Sequence, residues 1–265
     1  VRDTGLGNVE DKIRKNHRKT LGLLRDLKGA RSVGVIAEDR SRGIVEIARA
    51  VGVVAAITPS TNPAATPANK IINALKGRNA VILAPSPKGH STAAMLVEFV
   101  HEELARLGAP LDLVQVLPAP VTKEATLELM RRADIVAATG SQANIRAAYA
   151  SGTPALGVGQ GNVATIVVDD ADLGDAARKI ALSKTFDNAT SCSSENSAII
   201  LEPVYATALQ ALTLAGGILL DPAQKERLAR TMWPDGRLAA DMTAQSAPTI
   251  AARAGLGTMP AARFL

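Results

Sequence analysis

Residues 51–85, VGVVAAITPSTNPAATPANKIINALKGRNAVILAP, decide the fold. VGVVAAI is dense in apolar residues with no polar alternation, the pattern of a strand buried on both faces. NPAATPANKIINALKG follows as a helix with Ile71, Ile72 and Leu75 on one side and Gly77 as its stop. NAVILAP is then a second buried strand. Strand, helix, strand is the repeating unit of a parallel sheet, because parallel neighbours need a crossover connection.

The alternation extends in both directions. Upstream, SVGVIAED and RGIVEIARAVGVVAAITP read as strands. Downstream, STAAMLVEFVHEELARLG is a helix ended by Gly108, and LDLVQVL, TKEATLELMRRA, DIVAATG and SQANIRAAYASG repeat strand and helix twice more. After the glycine-dense SGTPALGVGQGN the pattern restarts with VATIVVDDAD, a strand entering a helix that Asp170 or Asp172 can cap. A strand, SAIILE, and helices PVYATALQALTLAGG and DPAQKERLAR complete that second part. The expected architecture is α/β: a doubly wound, Rossmann-type parallel-sheet domain over residues 1–157 and a second α/β domain over 158–265.

The chain has 265 residues, 47% of them apolar, enough to bury a large core. It contains no apolar run of about 18 residues and no secretory signal at its start, so the expectation is a cytoplasmic protein without membrane spans. The net charge of +5 is spread along the chain and aromatic residues make up only 2%, which argues against nucleic-acid binding and suits anionic small molecules such as nucleotides. One cysteine excludes an internal disulfide, and with only three scattered histidines no metal site is expected.

That cysteine, Cys192, sits among Thr190, Ser191, Ser193, Ser194, Glu195 and Asn196, a loop environment rather than an apolar run. An ordinary thiol is only about a few per cent ionised at neutral pH, so a reactive one needs nearby N–H groups or cations. Residue types alone leave nucleophile and inert thiol both open. No histidine is an obvious base: His17 lies in the charged helix EDKIRKNHRK, which reads as a solvated face, His101 is mid-helix and His90 follows a glycine in a turn.

Three blocks, SKTFDNATSCSSENS, PSTNPAATP and AATGSQANIRAAYASGTPALGVGQGN, resemble the aldehyde dehydrogenase superfamily, and within it the CoA-acylating branch. The resemblance runs from about Arg14 to the end, with block order and spacing preserved, and TSCSSENS is most similar to the sulfoacetaldehyde enzymes. It implies an aldehyde dehydrogenase-like fold with 158–265 as part of the catalytic domain, and a chain that begins late and stops before that domain ends. Cys192 would attack the aldehyde and Asn62 would donate its amide to the resulting oxyanion, together with the backbone N–H of Cys192. The competing reading makes Asn62 the cap of a helix starting at Pro63.

The resemblance further implies NAD or NADP as hydride acceptor. Thr139, Gly140 and Ser141 would hold its pyrophosphate, the competing reading being a plain strand-to-helix turn. The segment APSPKGHS, with Pro85, Ser86 and Lys88, would reach the adenosine ribose. Ala84 stands where hydrolytic members carry a ribose-binding lysine, so Lys88 is the candidate for a ribose or a 2′-phosphate. Hydrolytic members also place a water-activating glutamate in the segment matching ALGVGQGN. Here Leu156, Gly157, Val158, Gly159 and Gln160 offer no base, Gly157 and Gly159 leave room for coenzyme A, and Glu195 reads as structural. The implied reaction oxidises an aldehyde to its coenzyme A thioester, and the resemblance implies a homo-oligomer, dimer or tetramer, of the full-length protein, paired through a strand and hairpin expected to be mostly missing from this chain. The alternatives are a hydrolytic enzyme or a non-catalytic nucleotide-binding fragment.

Overall fold

A computed structural model describes residues 1, 4–159 and 161–265. It divides into two units: Thr4 with residues 13–159, and Val1, Gly5–Lys12 and Gly161–Leu265. Helix α1 (Val9–Leu27) contributes its residues up to Lys12 to the second unit and the rest to the first.

In the first unit, β1 (Gly34–Asp39) and β2 (Ile44–Ala48) form an antiparallel hairpin outside the main sheet. Its apolar side chains, Val35, Ile36, Ile44, Val45 and Ile47, are exposed. The main sheet is parallel, in the order β5-β4-β3-β6-β7, built from β3 (Val53–Thr58), β4 (Ala80–Pro85), β5 (Val114–Val116), β6 (Ile135–Thr139) and β7 (Ala155–Val158). Helices α2 (Ala65–Lys76), α3 (His90–Arg106), α4 (Lys123–Arg132) and α5 (Gln142–Tyr149) make the connections.

Successive side chains of a strand point to opposite faces, and β3 supplies a core to each. Val54 and Ala56 pack with Ile71 and Ala74 of α2 and Val97 and Leu104 of α3. Ala55 and Ile57 pack with Leu129 and Met130 of α4 and Ile145 and Ala148 of α5. Helices therefore cover both faces, as the unbroken apolar run requires. From β3 the chain proceeds to β4 and β5 on one side and then returns to β6 and β7 on the other. The reversal lies between β3 and β6, and the crevice outside the carboxyl ends of strands at such a point is where α/β sheets bind ligands.

The second unit pairs β8 (Val163–Val167) with β9 (Glu195–Ile200) in parallel, and α6 (Leu173–Thr185) runs between them. Of the two candidate caps, Asp172 is the one used, accepting from the Asp175 N–H at 2.9 Å. Helices α7 (Tyr205–Leu214), α8 (Pro222–Met232) and α9 (Ala247–Arg253) follow, with Ala251, Ala254 and Leu256 forming a small core against Leu220 and Leu228. Among the described residues no helix is long and apolar enough to cross a membrane.

Candidate active site

Where α6 ends, Asp187, Asn188 and Ala189 adopt φ of 53°, 50° and 57°, a left-handed run that costs each L-residue energy unless something holds it. The holding group is Asp187, whose side chain is completely buried. Lys12 Nζ lies 2.8 Å from its Oδ2, the Asn8 N–H donates to Oδ1 at 3.1 Å, and the Thr190 hydroxyl donates to Oδ2. The Asp187 N–H in turn donates to Asp11 Oδ2 at 2.8 Å, and Lys12 Nζ reaches Thr190 Oγ1 at 3.3 Å. Gly7, at φ +74°, has to be glycine, since a Cβ there would fall 2.0 Å from Asp187 Oδ1.

Two residues beyond Thr190 comes Cys192. The Ser194 N–H donates to the Ser191 carbonyl at 3.0 Å, which closes a turn with Cys192 at its first corner. The thiol is free and exposed. Glu195 begins β9, and its Oε2 is buried with no hydrogen-bond partner among the described residues, so that oxygen is shut away from water. Burial lowers the basicity of Lys184, and the nearby Glu195 charge offsets part of that.

The other predicted residues lie along the carboxyl edge of the five-stranded sheet. Asn62 is in the loop from β3 to α2. Helix α2 starts at Ala65 with Ala64 at its N-cap and no side-chain cap, so the capping reading of Asn62 is overturned. Its side chain is engaged elsewhere: Lys15 Nζ donates to Asn62 Oδ1 at 3.0 Å. Pro85 ends β4, and the Ser86 N–H donates to the Thr58 carbonyl at 3.0 Å. Ser86 Oγ and Thr58 Oγ1 are both buried without hydrogen-bond partners among the described residues. Gly89 packs against this edge, where a Cβ would meet Pro63 Cβ at 3.0 Å and Ser86 Oγ at 3.3 Å. Lys88 is exposed in a single 3-10 turn, Pro87–Gly89.

Thr139 ends β6, the Gly140 N–H donates to the Val158 carbonyl at 3.2 Å, and Ser141 caps α5 by accepting from the Asn144 N–H at 3.3 Å. A hydroxyl that accepts one bond can still donate another. Gly157 is explained by close packing of α5, because a Cβ would meet Ile145 Cγ2 at 2.8 Å and Tyr149 Cε2 at 2.9 Å. At Gly159 a Cβ would lie 2.9 Å from Gln142 Oε1. Gln160 lies outside the described residues. Two orphaned hydroxyls at the carboxyl edge of a doubly wound sheet fit a ligand rich in hydroxyl and phosphate oxygens, such as a nicotinamide dinucleotide.

Three lysines escaped the sequence reading. Lys12 and Lys15 belong to the run read as a solvated face, yet they are only 9% and 2% exposed. Lys70, on α2, donates to the carbonyls of Ile57 in β3, at 3.0 Å, and Ala137 in β6, bridging the two strands at the reversal point. The histidines are as expected: His90 and His101 place Nε2 at 3.0 and 2.7 Å from the carbonyls of Leu117 and Val114.

Burial lowers the Lys70 pKa from 10.5 to about 8. Between those values the unfolded chain binds the extra proton, so this residue's effect on stability becomes more favourable as pH rises from 8 to 10.5. The stability difference between wild type and K70M is therefore expected to shift in favour of wild type over that window, by no more than about 1.4 kcal/mol per pH unit. Urea midpoints of both proteins at pH 7.5 and pH 10 check this, and a constant difference would contradict it.

Within the second unit, a cavity of about 620 Å³ is lined by Lys184, Asn188, Trp233, Met242, Arg263 and Phe264, among others. Arg263 donates to the Ala215 carbonyl and to Thr185 Oγ1, at 3.2 and 3.4 Å.

The aldehyde dehydrogenase family profile matches residues 7–216. Over 256 residues, 97% of the chain, the sequence is 68% identical to the acylating sulfoacetaldehyde dehydrogenase of Cupriavidus necator, 52% of whose length is covered. The structure superposes on an acetylating aldehyde dehydrogenase from Geobacillus thermoglucosidasius with a TM-score of 0.93 at 35% identity, covering 99% of this chain and 58% of that one. A Rhodopseudomonas palustris propionaldehyde dehydrogenase with bound propionyl-CoA gives 0.85 at 27% identity, with the same coverage of 99% and 58%. The chain spans about half the length of the curated relatives it matches.

Proposed function

The chain belongs to the aldehyde dehydrogenase family, in its CoA-acylating branch, and from that premise we propose that it converts a short aldehyde and coenzyme A into an acyl-CoA through a thioester on Cys192. The observation that carries the reading is the exposed lone thiol at the corner of a turn that follows the buried Asp187 anchor.

In the proposed sequence Cys192 Sγ, as thiolate, bonds to the aldehyde carbon, and the carbonyl electron pair moves onto oxygen. The Asn62 amide and the Cys192 N–H donate to that oxygen, where one such donor is typically worth about 100- to 1000-fold in turnover. A bound nicotinamide supplies the hydride acceptor as the C–H bond breaks and the carbonyl re-forms as a thioester. Thr139, Gly140 and Ser141 would hold the dinucleotide's pyrophosphate, and Pro85, Ser86 and Lys88 its ribose. Lys88 suits a ribose hydroxyl or a 2′-phosphate, hence NAD or NADP.

Water has no evident base to activate it, since 156–159 carries no carboxylate and one oxygen of Glu195 is walled in. The thioester therefore lasts until the coenzyme A thiol displaces Cys192. Because α5 accounts for Gly157, coenzyme A access rests on this lack of a base more than on room left by glycine. For the aldehyde we favour sulfoacetaldehyde, on the 68% identical relative. The exposed apolar hairpin β1–β2 supports a homo-oligomer.

Reduced nucleotide measured with sulfoacetaldehyde and with acetaldehyde tests this. With coenzyme A, sustained turnover is expected, faster on sulfoacetaldehyde; without it, formation should stop near one equivalent per thiol. Sustained carboxylate production without coenzyme A would reject the acylating reading.

A further inference from the structure

Lys15 is one of the largest fully buried side chains of the protein, and its ammonium donates to Asn62 Oδ1 at 3.0 Å. Both residues belong to the first unit. An ammonium has three donors and no acceptor, so it selects the oxygen end of a carboxamide and never the nitrogen end. The two ends of Asn62 are nearly equal in size, and packing alone does not choose between them. Thr61 Oγ1 lies 3.4 Å from Asn62 Nδ2, too long a contact to fix the orientation alone.

The choice matters because the two orientations have opposite chemistry. With Oδ1 held by Lys15, the amide presents N–H hydrogens; reversed, it would present a lone pair, and an oxyanion would be repelled. A hydrogen bond with a charged donor is about twice as strong as a neutral one, and stronger still in a site shielded from water.

We propose that Lys15 is a positioning residue for oxyanion stabilisation: it fixes the Asn62 carboxamide with its donor end toward the reacting carbonyl. This rests on the proposed role of Asn62. Lys15 itself touches neither substrate nor cofactor in this scheme. It acts through the orientation of one amide and through the polarisation that its charge induces in that amide's N–H bonds.

The test is a double-mutant cycle on the first-turnover burst of reduced nucleotide, with N62A, K15M and the double variant, plus K15Q and K15R. N62A is expected to slow the burst by about 100- to 1000-fold. K15M is expected to slow it by about 10- to 100-fold with the KM for aldehyde and nucleotide affinity nearly unchanged. In the N62A background K15M should add less than about threefold, because the amide it orients is gone. K15Q and K15R, which keep an N–H donor, should recover part of the K15M loss. If N62A leaves the burst intact, the oxyanion role of Asn62 fails, and the role of Lys15 with it. If N62A slows the burst but K15M does not, or if the two losses multiply in the double variant, the positioning role is overturned while that of Asn62 stands. Should K15M fail to fold, K15Q takes its place in the cycle. A K15Q loss that disappears in N62A supports the proposal, whereas no K15Q loss, or one that persists in N62A, assigns Lys15 to folding and overturns it.

Discussion

Replacing Cys192 with alanine is expected to abolish turnover, by about four or more orders of magnitude, while leaving nucleotide binding intact. The size of the effect follows from chemistry. In the proposed reaction the acyl group is carried on sulfur between loss of hydride and arrival of coenzyme A, and the sequence contains no second thiol to take over. Folding should hardly notice, since the side chain is exposed and exposed substitutions usually shift stability by less than about 0.5 kcal/mol. Nucleotide titration by fluorescence together with the coupled assay separates the outcomes. Residual turnover within tenfold of wild type would mean that the thiol is not the acyl carrier.

The second large effect is expected at Asp187. Alanine there removes the carboxylate on which Lys12 Nζ, the Asn8 N–H and the Thr190 hydroxyl converge, and takes away the negative charge 2.8 Å from a poorly exposed ammonium. Breaking one side of a buried pair typically costs about 3–5 kcal/mol. Two left-handed residues after Asp187 lose their anchor as well, so activity should fall even where the protein stays folded. The second-site change K12M should recover part of the stability, because an apolar pair replaces a buried charge that has lost the Asp187 carboxylate, but not the activity. Urea denaturation of D187A, K12M and the double variant, read beside the rate of Cys192 alkylation, measures both. A loss below about 1 kcal/mol in D187A would show that the pair is not what holds the loop.

The parallel sheet could be read from the chain because its evidence is local. The unbroken VVAAIT and AVILAP runs of β3 and β4 need no partner to be recognised as doubly buried. The stops of α2 and α3 at Gly77 and near Gly108, and the cap at Asp172, are equally local signals. Hairpin β1–β2 was legible as strands but not as a ribbon outside the sheet, because an apolar alternation does not say which surface it will meet.

At the candidate site, residue types marked Cys192 and the loop around it, and the family resemblance singled out Asn62. What holds them was invisible. Lys12 and Lys15 sit in a run of charges that ordinarily faces solvent, and the partners that draw them inward, Asp187 and Asn62, are 175 and 47 positions away. The one hint is helical spacing: Asn8, just before α1, and Asp11, Lys12 and Lys15 within it recur at intervals of three and four, so the three helical residues share one stripe. Lys70 was missed for a related reason. A lysine amid the apolar residues of a helix reads as a snorkelling surface chain, and only the reversal of strand order supplies two carbonyls for it to bridge.

The knot around Asp187 ties the front of the chain to a point nearly two hundred positions later, and this has a cost in time. During synthesis, Gly7 to Lys12 leave the ribosome long before their counterpart exists, so the loop that carries the thiol cannot acquire its anchor until the whole intervening stretch has been made. A substitution or crosslink within Gly7 to Lys12 would then disarm chemistry far along the polypeptide without touching any residue adjacent in sequence to the sulfur. A preparation could show full helicity and yet be only partly active. Titrating reactive thiols per molecule would reveal that fraction where circular dichroism cannot.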